Sequence, residues 1–275
     1  MPTDAPASTA TVAPQVEAAA MVNGEPIPMS EYEAQVALAE AAFRRQMGNN
    51  PQLDDPDAAL QQVRRQVLDW MVDQKLMEQA AERLGVSVSP ERVDAEFARA
   101  QGDNPVQFSE WLEDNGLTAQ DFRVKLRAEL LGTKMRDTVT EYLPEKMEQV
   151  HLRHILVNSR SQAESILDQI HSNEDFVRLA KEYSKDMSTR DNGGDLGFYP
   201  RGVLSPEIDR VAFNMVVGQV SDVIQTAFGY HIIQVLERSP QRELTPQMER
   251  ALRQQMFMDW LAAERAKAEI VYLIE

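Results

Sequence analysis

The sequence predicts an α+β protein, and three observations carry that reading. Residues 30 to 142 form a succession of amphipathic helical segments. Residues 150 to 236 mix strand-like alternation with short helices around two adjacent glycines. Short strand-like runs stand near both chain ends, Met21–Ile27 and Ile270–Ile274. These two runs are expected to pair, so that both ends build one mostly helical domain closed by a two-stranded ribbon. A lone ribbon is marginal, but one backed by helices holds. The middle segment is then an insertion. The expected boundaries are a disordered tail over 1–20, a helical domain over 21–147 completed by 242–275, and an inserted module over 148–241.

The tail, MPTDAPASTATVAPQVEAAA, has almost no large apolar side chain and cannot bury a core. It lacks the basic start and apolar stretch of a signal peptide, and reads as a flexible tail or as a spacer behind a removed export signal or lipid anchor. Asn23-Gly24 marks a turn, and Ser30 with Glu33 is a capping box that starts a helix. Gly48 to Pro56 is a break. A long helix from about Asp57 to Leu84 follows, its stripe running through Leu60, Val63, Val67, Trp70, Met71, Gln74, Met77 and Ala81, with Gly85 past its end. Ser89-Pro90 starts the next helix, which ends near Gly102. Phe108 to Glu113 is a short helix, and Thr118 with Asp121 caps another that runs to about Tyr142. Thr245-Pro246 opens a last helix to about Ala268.

The 275 residues are 43% hydrophobic and 26% charged, a globular composition with room for about two domains. A net charge of −16 leaves no basic footprint, which argues against nucleic acid as a partner. No apolar run reaches the length of a membrane span. The absence of cysteine removes disulfides, cysteine nucleophiles and thiolate metal sites. It fits an oxidising compartment, although many cytosolic proteins also lack cysteine.

In the inserted segment, Leu152, His154 and Leu156 share one strand face, and His151, Arg153 and Ile155 share the other. Ser161 is read as starting one helix and Asn173 as capping a second with Phe176, Leu179, Ala180 and Tyr183 on its stripe. Ser205-Pro206 caps a short helix bearing Ile208, Val211, Ala212 and Phe213. Val223–Thr226 and His231–Leu236 are strands.

Three pieces occur in order within this segment: a strand ending His154-Ile-Leu-Val157, the run Asn192-Gly-Gly-Asp-Leu-Gly-Phe198, and a strand opening Phe228-Gly-Tyr-His-Ile-Ile233. Together they resemble the parvulin family of peptidyl-prolyl cis/trans isomerases. The flanking layout, a VNGEPI strand and helices before the module and a helix after it, looks like the SurA/PrsA-type chaperone-foldases. The resemblance implies a βααβαββ module with an antiparallel sheet and helices packed around it. It also implies a proline pocket on Leu196, Leu204, Ile208 and Phe228, and a polar centre on His154, Asp186, Thr226 and His231. Parvulins often carry Met and Phe where this chain has Leu204 and Ile208, which keeps the pocket apolar and changes its shape. Asp186 stands where some members have cysteine and many bacterial members aspartate. Its implied role is electrostatic and orienting, with Thr226 fixing a histidine tautomer.

The implied chemistry is rotation about an X-Pro bond, which needs no nucleophile, cofactor or metal. The implied partners are unfolded or proline-containing polypeptides, and the implied location is extracytoplasmic, with a cytoplasmic one as the alternative. The stretch Asn158-Ser-Arg-Ser161 holds a single arginine, so no preference for phosphorylated Ser/Thr-Pro is expected. Two other functions stay open: a holdase with a weak or vestigial isomerase domain, and a maturation factor for a single client. Taken singly, His154 and His231 would read as structural histidines, and His151 and His171 as solvated. A zinc site from His151 and His154 is disfavoured because they point to opposite faces. Asp195 reads as a loop-bonding residue.

Overall fold

The computed structural model describes residues 17–47 and 55–274. In chain order the elements are β1 (Ala18–Val22), β2 (Glu25–Pro28), α1 (Met29–Met47), α2 (Pro56–Leu84), α3 (Pro90–Gln101), α4 (Pro105–Asp114) and α5 (Ala119–Val139). Then follow β3 (Lys146–Val157), α6 (Arg160–His171), α7 (Phe176–Tyr183), a 3-10 turn (Arg190–Asn192), β4 (Asp195–Pro200) and α8 (Pro206–Ala212). The chain closes with β5 (Ile224–Thr226), β6 (Gly229–Glu243), α9 (Pro246–Lys267) and β7 (Ile270–Tyr272). Two compact units emerge, Met1–Thr138 with Asp259–Glu275, and Val139–Met258.

In the first unit the chain ends meet as expected, but in a three-stranded sheet of order β2-β1-β7, not a two-stranded ribbon. The reason is the Asn23-Gly24 turn. Both residues take positive φ, 52° and 82°, so Met21–Ile27 folds into a hairpin instead of one strand. β7 then pairs with the other edge of β1, with Val22 opposite Ile270 and Ala20 opposite Tyr272. Ala18 to Ala20, assigned to the tail from sequence, belong to β1. Their small side chains are what fits there: Ala19 and Ala20 are fully buried in a cluster with Val22, Ile27, Tyr32, Leu68, Val72 and Leu76. Residues 1–16 of the expected tail and 48–54 of the expected break lie outside the described residues.

Most helix signals hold, but α1 begins at Met29, so Ser30 lies inside the helix and is not its cap. Asp55 caps α2, and Gly85 ends it in the left-handed conformation. Thr118 and Asp121 form a reciprocal box at the head of α5, each side chain accepting the other's backbone N–H, at 3.1 and 2.9 Å. α4 begins at Pro105, three residues before Phe108, because Asn104 caps it. Trp70, placed on the apolar stripe, is 46% exposed. Phe97, Phe108, Trp111 and Phe122 form an edge-to-face and stacked cluster of α3, α4 and α5.

The second unit is a four-stranded antiparallel sheet of order β4-β3-β6-β5, and its element order is βααβαββ. Helices cover both faces. Ile155, Val157 and Ile232 pack with α6 and α7, while Val150, Leu152, Ile233 and Val235 pack with α8. Two caps differ from expectation. Ser159 caps α6, and Asp175 caps α7 by accepting the Arg178 N–H at 2.7 Å. Asn173 instead takes φ 66° where α6 ends. β3 and β6 are longer than their sequence signals because they continue as a pair down to Lys146 and Glu243.

Candidate active site

The site is built on the central pair of strands. Directly opposed residues of antiparallel strands share a face. Leu156 lies opposite His231 and His154 opposite Ile233, so the two histidines are diagonal neighbours on one face. Their rings stack with centroids 5.6 Å apart and planes at 27°, and Nδ1 faces Nδ1 at 3.4 Å. Both are buried, at 6% and 4% exposure.

The loop between α7 and β4 is stitched to β3 by three backbone contacts. Ser184 Oγ accepts the Leu156 N–H at 3.3 Å, the Lys185 N–H donates to the Leu156 carbonyl at 2.7 Å, and the His154 N–H donates to the Gly194 carbonyl at 2.8 Å. Gly194 has φ 81°, and a Cβ there would stand 2.0 Å from the His154 carbonyl oxygen. Only glycine lets the loop come this close to β3.

This stitching delivers Asp186 to His154. Its Oδ2 lies 2.8 Å from His154 Nε2 and accepts the Thr189 hydroxyl at 2.6 Å. Its Oδ1 accepts the Ser188 N–H at 3.0 Å and the Ser188 hydroxyl at 2.6 Å. Burial opposes ionisation of this carboxyl, but the donors from Ser188, Thr189 and His154 outweigh it and hold it well below the usual carboxylate range. His231 is pushed down to about 4, by burial first and then by His154, against the smaller opposing pull of Asp186 and Glu207.

An ionised Asp186 only accepts, so it takes the Nε2–H of His154. A neutral His231 with its proton on Nδ1 donates to the facing Nδ1 of His154. His231 Nε2 is left to accept the Thr226 hydroxyl at 2.8 Å. The Phe228 backbone N–H donates to Thr226 Oγ1 at 3.1 Å. The result is one directed chain from Thr226 through both rings to Asp186.

All four polar residues singled out from sequence are therefore brought together. Of the four apolar ones, Ile208 is buried in the sheet–α8 core, and Leu196 and Leu204 pack half-buried against that core. Phe228 sits apart on the β5–β6 turn, 77% exposed. Sequence reading missed Thr189 and Ser188. The available signal was a hydroxyl two and three residues after an aspartate, the spacing at which short polar side chains close turns. His151 is not solvated, as the sequence reading had it. Its Nε2 bonds Asp195 Oδ1 at 2.7 Å and its ring lies 4.9 Å from Phe198. Asp195 also accepts the Gly197 N–H at 2.9 Å, so the amide it bonds lies within β4 and not in a loop as expected. His171 is exposed. Among the described residues no group of three or more His, Cys, Asp or Glu side chains is placed to hold a metal ion.

Residues 153–237 match the PPIC-type PPIase domain family, and residues 7–136 match the SurA-like N-terminal domain family. The foldase protein PrsA of Caldanaerobacter subterraneus subsp. tengcongensis is 34% identical over 223 residues, covering 78% of this chain and 71% of that relative. The foldase protein PrsA of Exiguobacterium sibiricum is 30% identical over 222 residues, covering 76% and 72%. A crystal structure of the peptidylprolyl isomerase PrsA from Bacillus anthracis aligns with a TM-score of 0.55 at 26% identity, covering 73% of this chain and 96% of that one.

Proposed function

This chain belongs to the PrsA foldase family and is a peptidyl-prolyl cis/trans isomerase and foldase; from that premise we propose how its residues do the work and where it acts. The barrier to X-Pro rotation, ~18–20 kcal/mol, comes from amide resonance, and unaided isomerisation takes tens to hundreds of seconds. In this reading the proline ring enters the apolar recess of Leu196, Leu204 and Ile208, with exposed Phe228 closing over it. The water-poor recess favours the twisted amide, whose C–N bond has lost its double-bond character and whose carbonyl is less polar. The directed chain from Thr226 to Asp186 holds the floor of the site rigid beside the substrate carbonyl. It supplies orientation and electrostatics, not covalent attack.

The single observation that carries this reading is the continuous hydrogen-bonded line Thr226–His231–His154–Asp186. A proline-switch peptide assay tests it. Acceleration at micromolar protein is expected, and a folded sample that leaves the spontaneous rate unchanged refutes the catalytic assignment.

The clients in this reading are unfolded polypeptides outside the cytoplasm, supported by the kinship with PrsA foldases and by the absence of cysteine. Among the described residues no helix is long and apolar enough to cross a membrane. Fractionation of source cells checks the location. A holdase role for the helical unit has its own support: Trp111 is 47% exposed at the rim of the α3–α5 aromatic cluster, and Val106 on the same helix is 67% exposed. Large exposed apolar groups of this kind suit the capture of unfolded chains. Slower aggregation of a proline-free client with the full protein, weakened by Trp111→Ala, would favour it.

A further inference from the structure

The geometry points to a second contact zone for the client: the open edge of β5 and the charged cleft between β5 and α8 bind the residues flanking the reactive proline and select a lysine or arginine there. The inference rests on the isomerase reading of the histidine site and extends it to substrate choice.

β5 is an edge strand of the sheet. Thr226 and Gly229 face each other across a two-residue connection, Ala227-Phe228. That makes Thr226–Gly229 a hydrogen-bonded pair, and alternation makes Gln225–Tyr230 a non-bonded one. The N–H and carbonyl of Gln225 therefore face outward, where an extended polypeptide can add as a further strand. Beside this edge lies a cleft of about 330 Å³ lined by Glu207, Arg210, Asp222, Ile224 and Gln225 among others.

Continuity with the histidine site names the occupant. Thr226, at one end of β5, bonds the His231 ring. Ile224 belongs to the same core cluster as Ile208, and Glu207 directly precedes Ile208 on α8. A chain whose proline sits in the recess and which runs on along β5 passes the cleft within a few residues. The charges name its preference. Glu207, Asp222 and Arg210 make no ion pair among the described residues, although most other carboxylates on this unit's helices do. Two carboxylates against one guanidinium leave the cleft net negative, matching a cationic side chain.

The test is a set of fluorescein-labelled Ala-Pro peptides carrying Lys, Ala or Glu within three residues of the proline, measured for binding and for isomerisation with the full-length protein. Tighter binding and higher kcat/KM for Lys over Glu are expected, by about fivefold at low salt and shrinking as salt rises. Backbone amide shifts should move at residues 222–226. Asp222→Lys, a change at an exposed loop side chain, should bring the Lys-to-Glu ratio to one or below, and thermal melting checks that it folds. Equal binding of Lys and Glu peptides, or amide shifts that leave 222–226 still, overturns the cleft assignment. If the Ala peptide is isomerised without charge preference, the cleft fails alone. Selective binding at 222–226 without isomerisation leaves the cleft standing and removes the catalytic reading.

Discussion

β3 carries two His–Asp pairs three residues apart, and they have opposite surroundings. His151 and Asp195 lie 2.7 Å apart and His154 and Asp186 2.8 Å apart, so the bonds are nearly equal. The first pair ends in packing. His151 lies tilted against Phe198, whose ring is also covered by the Arg242 guanidinium at 3.8 Å, and Asp195 also accepts a backbone amide of β4. The second pair continues through His231 to Thr226, at the end of β5. A histidine–carboxylate bond alone is a structural clamp. A second ring and a carboxylate with donors on both oxygens set the His154 bond apart from it.

Gly194→Ala is expected to have the largest effect on the His154 pair. The added methyl would collide with the His154 carbonyl and force an L-residue into positive φ, so a stability loss of about 3 kcal/mol or more is expected, with loss of isomerase activity. Denaturant unfolding and a peptide assay read both. Next come the matched variants Asp186→Ala and Asp195→Ala. The first should lower kcat/KM by roughly 10–100-fold, by leaving His154 without its orienting acceptor. The second should change kcat/KM by less than about twofold while costing about 1–2 kcal/mol of stability. Equal activity losses would show that the two pairs are not different in kind.

A third measurement concerns pH. His231 is held neutral, with its folded value near 4 against an ordinary 6.5. Between those values the unfolded chain binds the extra proton, so stability falls as pH falls through that window, with a slope of at most about 1.4 kcal/mol per pH unit from this group. Above pH 6.5 the contribution vanishes. Imidazole ¹⁵N spectra at pH 5.5 should show His231 neutral, and His231→Leu should flatten the difference in slope. A protonated His231 ring at that pH would contradict the directed chain. A smaller loss than that of Asp186→Ala is expected from Thr189→Val, which removes one of the three side-chain donors to Asp186 and should lower kcat/KM by about 3–10-fold, with Thr189→Ser restoring it.

Much of this protein was legible in its sequence because the signals are local. Caps such as Asp55 and Thr118–Asp121 act within four residues, and the strands around His154 and His231 carry their own alternation. The four polar residues named from motif resemblance stand next to one another in space. Where the reading slipped, the deciding partner lay elsewhere in the chain. Ala18 to Ala20 look like tail because alanine carries no pattern, and only strand pairing and the full burial of Ala19 and Ala20 in the β1 cluster identify a strand. Trp70 looks like core because its spacing is right, yet nothing covers it fully.

The order of helices and strands along the chain could be read from residues and motifs, since backbone preference and hydrophobic period are properties of short segments. Tertiary structure alone decided which His–Asp pair meets a second ring, that Thr189 and Ser188 complete the Asp186 shell, and that Phe228 stands out in solvent. Those outcomes depend on register between β3 and β6 and on a glycine that lets a loop approach β3. A one-residue slip of either strand would turn the same side chains to the other face.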